Sequence, residues 1–190
     1  MSRIVTFVFV AIALFWAAFP IEPALAQLRF EPVPAEAIRN LSILKAERAC
    51  VDCNLRNISL KRANFSGVNL EGSNLQTANL AEAVFDNANL SGTNLKYSYL
   101  KQISLETSQL VNADLTQANL YEANLKGADL SYATLRSTNL NKANLRDANL
   151  TGADLSMTYL RDANLINANL SGVKLCNTVL PDGKVSYEGC

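Results

Sequence analysis

From Leu55 to Leu180 every fifth residue is large and apolar, and of these 26 positions 24 are Leu and two are Phe (Phe65 and Phe85). Two residues before each stands a small or β-branched residue, Ala at 14 of the 26 and otherwise Ser, Thr, Val, Ile or Cys53. The residue immediately before is Asn at 14 and Asp at three more, so the unit reads Ala-Asn/Asp-Leu-x-x, as in Ala78-Asn79-Leu80. A period of five matches neither the 3.6 of a helix nor the 2 of a flat strand, and would scatter the leucines around either one. The chain must therefore turn once per unit, bringing each Leu and each small residue back to a common axis. Four units close a square coil of 20 residues, and coils stack at about 4.8 Å with backbone hydrogen bonds running between them. The array predicts about 6.5 coils and a length of about 31 Å.

The residue types suit that winding. Leu fills the interior, and Ala keeps volume down where walls converge. Asn and Asp are expected to tolerate the tight corner backbone and to hydrogen-bond it. Proline is absent between Val51 and Leu180, as it must be if nearly every N–H joins a ladder. Residues 20 apart become neighbours, so Phe65 and Phe85 should stack. The outer row Arg62, Glu82, Gln102, Glu122, Lys142, Asp162 should oppose unlike charges at 62/82, 122/142 and 142/162. A second row, Gly72, Gly92, Asn112, Tyr132, Gly152, Gly172, runs beside Ser91, Val111, Ser131, Thr151 and Ser171 as a flat, almost uncharged face. The least regular stretch is Lys96 to Leu110, where Tyr97 and Tyr99 point outward with Tyr121 about one coil above. Exposed aromatics favour binding surfaces, which makes these three tyrosines a candidate protein contact against the plainer reading of repeat drift.

The flanks have a different grammar. Residues 1–26 read as a secretory signal peptide: Arg3, an apolar run from Ile4 to Phe19, Pro20 and Pro23, then Ala24-Leu25-Ala26 before a cut at Gln27. Sixteen apolar residues are short of the roughly 20 a spanning helix needs, so no stable membrane insertion is expected after cleavage. Residues 27–52 form a linker and an amphipathic capping helix over Pro34 to Ala49, with Ile38, Leu41 and Leu44 on its buried side. The solenoid occupies 53–182, and a C-terminal cap, 183–190, follows the Pro181-Asp182-Gly183 turn. Caps of this kind block end-to-end polymerisation. All four cysteines flank the array, about six coils apart in two groups, and a disulfide needs Cα atoms within about 7 Å. Pairing is then local, Cys50 with Cys53 and Cys176 with Cys190. For Cys50-x-x-Cys53 a redox-active pair and a metal site remain as rival readings to a structural bond or capping thiols.

Composition narrows the chemistry. The chain has 17 Lys+Arg, 17 Asp+Glu and no histidine among its 190 residues, which argues against a general nucleic-acid binder and removes every His-dependent nucleophile pair and metal site. No phosphate-binding glycine loop is present. We expect no catalytic residues, no metal and no cofactor.

The consensus units resemble the pentapeptide-repeat family over Cys53 to about Asp182, and the resemblance implies an all-β solenoid, a right-handed quadrilateral β-helix. Some members of that family are DNA mimics that bind gyrase through an acidic surface; residues 53–182 carry 11 Lys/Arg and 11 Asp/Glu, so mimicry is a remote alternative. The short helix, Cys50-x-x-Cys53, and Cys176-Asn177-Thr178 closing at Cys190 are similar to exported cyanobacterial and plastid-lumen members, which implies thylakoid lumen or periplasm. The reading as a whole is a monomeric, non-enzymatic structural or protein-interaction module with an unidentified protein partner. A thiol-redox factor acting through Cys50 and Cys53 is the alternative. Trp16 is the only tryptophan and precedes the expected cut. Intact mass of the exported protein should therefore begin at Gln27, with emission from tyrosine alone; retained tryptophan fluorescence would show that the leader stays on.

Overall fold

The computed structural model describes residues 32–190; the expected leader at 1–26 lies outside the described residues. Parallel bridges join Ala49 to Asn69, Asn54 to Asn74, Ser59 to Asn79 and Asn64 to Val84, and repeat at a separation of 20 until Tyr159 meets Val179. Four bridge residues per 20-residue turn make four sides, named here by their central leucines. The chain is a parallel β-helix, and the fivefold spacing of the leucines is its cause: each interior Leu from Leu70 to Leu160 is at most 4% exposed. Phe65 and Phe85 stack as expected, with ring centroids 5.6 Å apart and planes at 27°.

Each unit satisfies its five amides in a fixed way, shown here at Leu120. Leu120 N–H donates to Asn139 in the next coil at 2.8 Å, and Glu122 N–H to Asn141 at 3.0 Å. Asn124 N–H donates back to Ile103 at 2.9 Å, and Ala123 N–H closes the turn on Leu120 at 3.0 Å. The fifth amide, Tyr121 N–H, is left to a side chain, the Asn119 Oδ1 at 3.1 Å. A buried or half-buried N–H without a partner is unfavourable by about 1–3 kcal/mol, so the consensus Asn or Asp is the residue that completes the set.

The bond from the corner N–H to the Asn side chain is as expected, but the expectation that Asn itself takes the tight corner backbone is corrected. The residue with the left-handed backbone is not the consensus Asn but the second residue after each Leu. Every fifth residue from Asp52 to Asn177 has φ between 53° and 69°, the pattern of a type II turn. Six of these positions are glycine, but Thr107, Tyr97, Lys142 and Met157 also occupy it. At Gly152 the reason for glycine is also steric: the Tyr132 ring lies where a Cβ would be. Elsewhere the ladder on both sides holds non-glycine residues in the conformation.

At two units where the consensus Asn is missing, the bond comes from the coil below. Ser104 replaces Asn, and Glu106 N–H donates instead to Asp86 Oδ1 at 3.0 Å, with Ser104 Oγ on the same oxygen at 2.5 Å. Tyr159 replaces Asn, and Arg161 N–H donates to Asn141 Oδ1 at 2.9 Å. Hydroxyls in the small-residue column are satisfied too. Ser98 and Ser108 donate to the carbonyl three residues back at 2.6 and 2.7 Å. Thr138, Thr158 and Thr178 donate to the coil below, at Leu115, Leu135 and Leu155, at 2.7, 2.5 and 2.6 Å. The irregular stretch from Lys96 to Leu110 thus keeps the ladder unbroken.

Helix α1 spans Ala35–Glu47 and ends at Arg48 in the left-handed conformation, its N–H on Leu44 O at 3.0 Å. Its buried residues are Ala37 and Leu44, with Leu41 packed against the same core. Ile38, expected on that side, is 57% exposed. At about 100° per residue, Ala37 and Leu44 lie within about 20° of each other, while Ile38 is about 120° from Leu44. Asn40 Nδ2 donates to Asn54 O at 3.0 Å and Asn54 Nδ2 to Glu36 Oε2 at 3.1 Å, tying α1 to the first coil. Among the described residues no helix is long and apolar enough to cross a membrane.

At the far end Thr178–Val179 (β1) and Val185–Ser186 (β2) pair antiparallel around Pro181-Asp182-Gly183. Truncating Leu125→Ala should lower the unfolding free energy by about 2–5 kcal/mol. Asp86→Ala should lower it by about 1 kcal/mol, because two donors lose their acceptor. Denaturant titration checks both, and an unchanged midpoint for Asp86→Ala would show that its carboxylate does not replace the missing Asn.

Candidate functional site

The cysteines are paired as the separation of the two groups requires. Cys50–Cys53 has Cα atoms 5.5 Å apart and Cys176–Cys190 4.7 Å, and no described cysteine is free. Cys50 is buried at 4% exposure and Cys53 is half-buried. Ser73 locks this segment to the next coil: its Oγ donates to Cys50 O at 2.5 Å and accepts from Cys53 N–H at 3.1 Å. Cys176 and Cys190 tie the tail to the last coil, where Leu175 N–H donates to Glu188 O at 2.9 Å.

The three candidate tyrosines have different settings. Tyr97 and Tyr99 are 52% and 43% exposed. Tyr97 occupies a left-handed turn position, whereas Tyr99 is a bridge residue between Asn79 and Asn119. Tyr121 is half-buried, with the ammonium groups of Lys101 and Lys142 each 5.5 Å from its ring centroid. The Tyr121 hydroxyl, followed by the charge of Glu122, holds the Lys142 ammonium above its ordinary pKa. Lys101 stands one coil below Tyr121 and Lys142 one coil above, a bracket the sequence reading missed; the separations of 20 and 21 were the available signal.

The charge row is realised unevenly. Arg62 Nε donates to Glu82 Oε2 at 2.6 Å and its Nη2 to Oε1 at 3.3 Å. That bond holds the Glu82 carboxyl below its usual range. Gln102 donates to Glu122 at 2.9 Å, and Lys142 lies 3.9 Å from Glu122. Asp162 adds only a weak pull on Lys142. Two further pairs run diagonally, at a separation of 18: Lys96 with Asp114 at 2.8 Å and Arg136 with Asp154 at 3.9 Å. Exposed pairs of this kind contribute about 0–1 kcal/mol each.

The lower part of the flat glycine face is a shallow groove lined by Val51, Asp52, Glu71, Gly72, Ser91, Gly92, Val111 and Asn112. Asp52 and Glu71, one coil before the rows named from the sequence, bring charge to the lower end of the groove. Among the described residues no group of three or more Cys, His, Asp or Glu gathers in metal-binding geometry.

Asp114 and Asp154 are the titrating groups with structural consequence. Burial pushes each carboxyl up. Hydrogen bonds from Lys96 and Thr116 at Asp114, and from Ser156 at Asp154, outweigh it, and both lie below the ordinary aspartate value. A carboxyl whose pKa is depressed on folding adds stability above its unfolded value and loses it as the pH falls through the folded value. The melting temperature should therefore hold from neutral pH to about 4 and drop below it. Asp114→Asn should shrink that acid drop; an unaltered pH profile would show that the Lys96 bridge adds nothing.

Compared with known proteins, the chain matches the pentapeptide-repeats description in eight copies, over residues 50–76, 72–106, 108–147 and 143–180. It is 33% identical to Rfr23, a pentapeptide repeat protein from the cyanobacterium Cyanothece 51142, covering 75% of this chain and 98% of that one with a TM-score of 0.46. HetL, a pentapeptide repeat protein involved in heterocyst differentiation regulation in Nostoc, is 24% identical over 77% of this chain and 98% of its own, at a TM-score of 0.22. A pentapeptide repeat protein from the Arabidopsis thaliana thylakoid lumen is 27% identical over 54% of this chain and 65% of its own, at a TM-score of 0.24. No curated protein matches.

Proposed function

The chain belongs to the pentapeptide-repeat family, whose members fold as right-handed quadrilateral β-helices, and from that premise we propose that it is an exported, non-enzymatic protein-interaction module of the thylakoid lumen or periplasm. The observation that carries this reading is the filled interior. Leu and Ala columns at near-zero exposure leave the solenoid no internal cleft for a substrate, while the ladder holds rows of side chains at a fixed spacing outside. Such a body offers surface, not a reaction chamber. The apolar leader and two disulfides support export, since bonds of this kind persist in oxidising compartments. In this reading the solenoid has about 6.5 right-handed coils at about 4.8 Å each, with α1 and the C-terminal hairpin as its end caps.

Burial of Cys50 favours the structural reading of the first disulfide over the redox one, because an attacking thiolate needs access to a sulfur. The even charge balance of the repeats weighs against DNA mimicry. The exposed Tyr97 and Tyr99, with the lysine-bracketed Tyr121, are the contact residues we assign to the partner.

Fractionation should place the tagged protein in the lumenal or periplasmic pool, and affinity capture there should recover a protein that is lost on joint Ala replacement of Tyr97, Tyr99 and Tyr121. Capture unaffected by the replacement would remove the tyrosines, and cytosolic protein would remove the compartment. The Cys50–Cys53 couple should titrate below about −300 mV; a potential near that of oxidoreductases would restore the redox alternative.

A further inference from the structure

Two stretches of the array share a pattern found nowhere else in it: Tyr97-Ser98-Tyr99-Leu100-Lys101 and Met157-Thr158-Tyr159-Leu160-Arg161. They are the only units with Tyr in the Asn position before the central leucine. Tyr99 bridges to Asn119, Asn119 to Asn139 and Asn139 to Tyr159. Both stretches therefore lie on one side of the solenoid, three coils or about 14 Å apart. Tyr97, Tyr99, Met157 and Tyr159 are 52%, 43%, 39% and 51% exposed. The fold does not ask for them. A Tyr hydroxyl is too far from the backbone to replace the Asn oxygen, and Arg161 N–H turns to Asn141 in the coil below. Side chains that break the repeat rule, weaken the ladder's own supply of acceptors and remain in solvent are the mark of a functional surface.

Charge is sorted over the same side. Within residues 53–182 its outward rows start at Asn57, Ser59 and Lys61 and step by 20; they carry Lys61, Lys101 and Arg161 and no acid. The opposite side, with rows starting at Gly67, Asn69 and Glu71, carries Glu71, Asp129 and Asp147 and no base. The even charge of the repeats thus conceals one basic and one acidic side. Lys61 is held by Glu82 at 3.5 Å. Lys101 and Arg161 make no ion pair with a described carboxylate, whereas Lys96, Lys126 and Arg136 each do. We propose that this side binds an extended acidic protein segment with carboxylates four residues apart, one on Lys101 and one on Arg161, its chain lying against Tyr99 and Tyr159. The reach fits, since four residues of extended chain span about 13 Å and return the side chain to the same face. The occupant is narrow. Glu82, Glu122 and Asp162 stand at the corner just beyond the Lys61 row, where a broad anionic membrane surface would meet them. The inference rests on the reading of this chain as a protein-interaction module, and adds Met157, Tyr159 and Arg161 to the contact and an acidic chemistry to the partner.

Calorimetric titration of the purified chain with synthetic Ser/Thr peptides tests this, the probes carrying two Glu four residues apart, two Glu two residues apart, or two Lys four residues apart. The first should bind about tenfold or more tighter than either of the others. Lys101→Glu with Arg161→Glu should abolish that binding. Tyr99→Asn with Tyr159→Asn restores the consensus, so it should weaken binding about tenfold while the melting temperature holds or rises. Absence of peptide binding overturns the proposal, as does indifference to carboxylate spacing or to the Asn pair. Tighter binding to anionic phospholipid vesicles or to single-stranded DNA than to the peptide overturns it equally. The titration needs no native partner, so its failure leaves capture from the native compartment standing, and a failed capture leaves the peptide result standing.

Discussion

Every feature of this protein depends on the satisfaction of backbone amides in a chain that turns every five residues. Four of the five N–H groups in a unit find carbonyls, three of them in neighbouring coils and one across the turn. The fifth cannot reach a carbonyl and takes a side-chain oxygen. This single shortfall makes Asn or Asp recur beside Leu. Its absence at Ser104 and Tyr159 is matched by an acceptor exactly one coil below, at Asp86 and Asn141. The interior obeys the same rule, since the hydroxyls that replace Ala in the small-residue column each donate to a nearby carbonyl. A polar side chain is admitted to this core only where the ladder geometry already offers it a partner.

Stacking also sets what the outside can do. Because side chains repeat at a fixed rung spacing, most charge pairs form with a partner 20 residues away or, on the diagonal, 18. A ring such as Tyr121 is bracketed by cations from both adjacent coils. These contacts are individually weak, but their positions are fixed by the backbone rather than by the side chains. A rigid exterior with a filled interior suits recognition, and it leaves the two ends as the places where the regular ladder must stop. At one end α1 packs into the core of the first coil; at the other Leu170 is 40% exposed.

Much of this was legible in the chain alone. The fivefold leucine pattern determined the coil, the stack of Phe65 on Phe85, the opposition of Arg62 and Glu82, and the local pairing of cysteines, because each follows from counting residues around a 20-residue turn. The signal-peptide grammar and the balanced charge are likewise properties of composition and order. What counting could not supply was direction and phase. The left-handed residue proved to be the second after Leu, a choice set by the turn's hydrogen bond; side-chain identity does not reveal it, since Thr, Tyr, Lys and Met all accept the position. Ile38 was placed on the wrong side of α1 because a short helix with few apolar residues fits two phases, and only contact with the core selects Ala37 and Leu44. The diagonal pairs, the Tyr121 bracket and the exposure of Leu170 likewise emerged only from the folded chain, because each depends on how one coil is offset over the next and on where the tail lies.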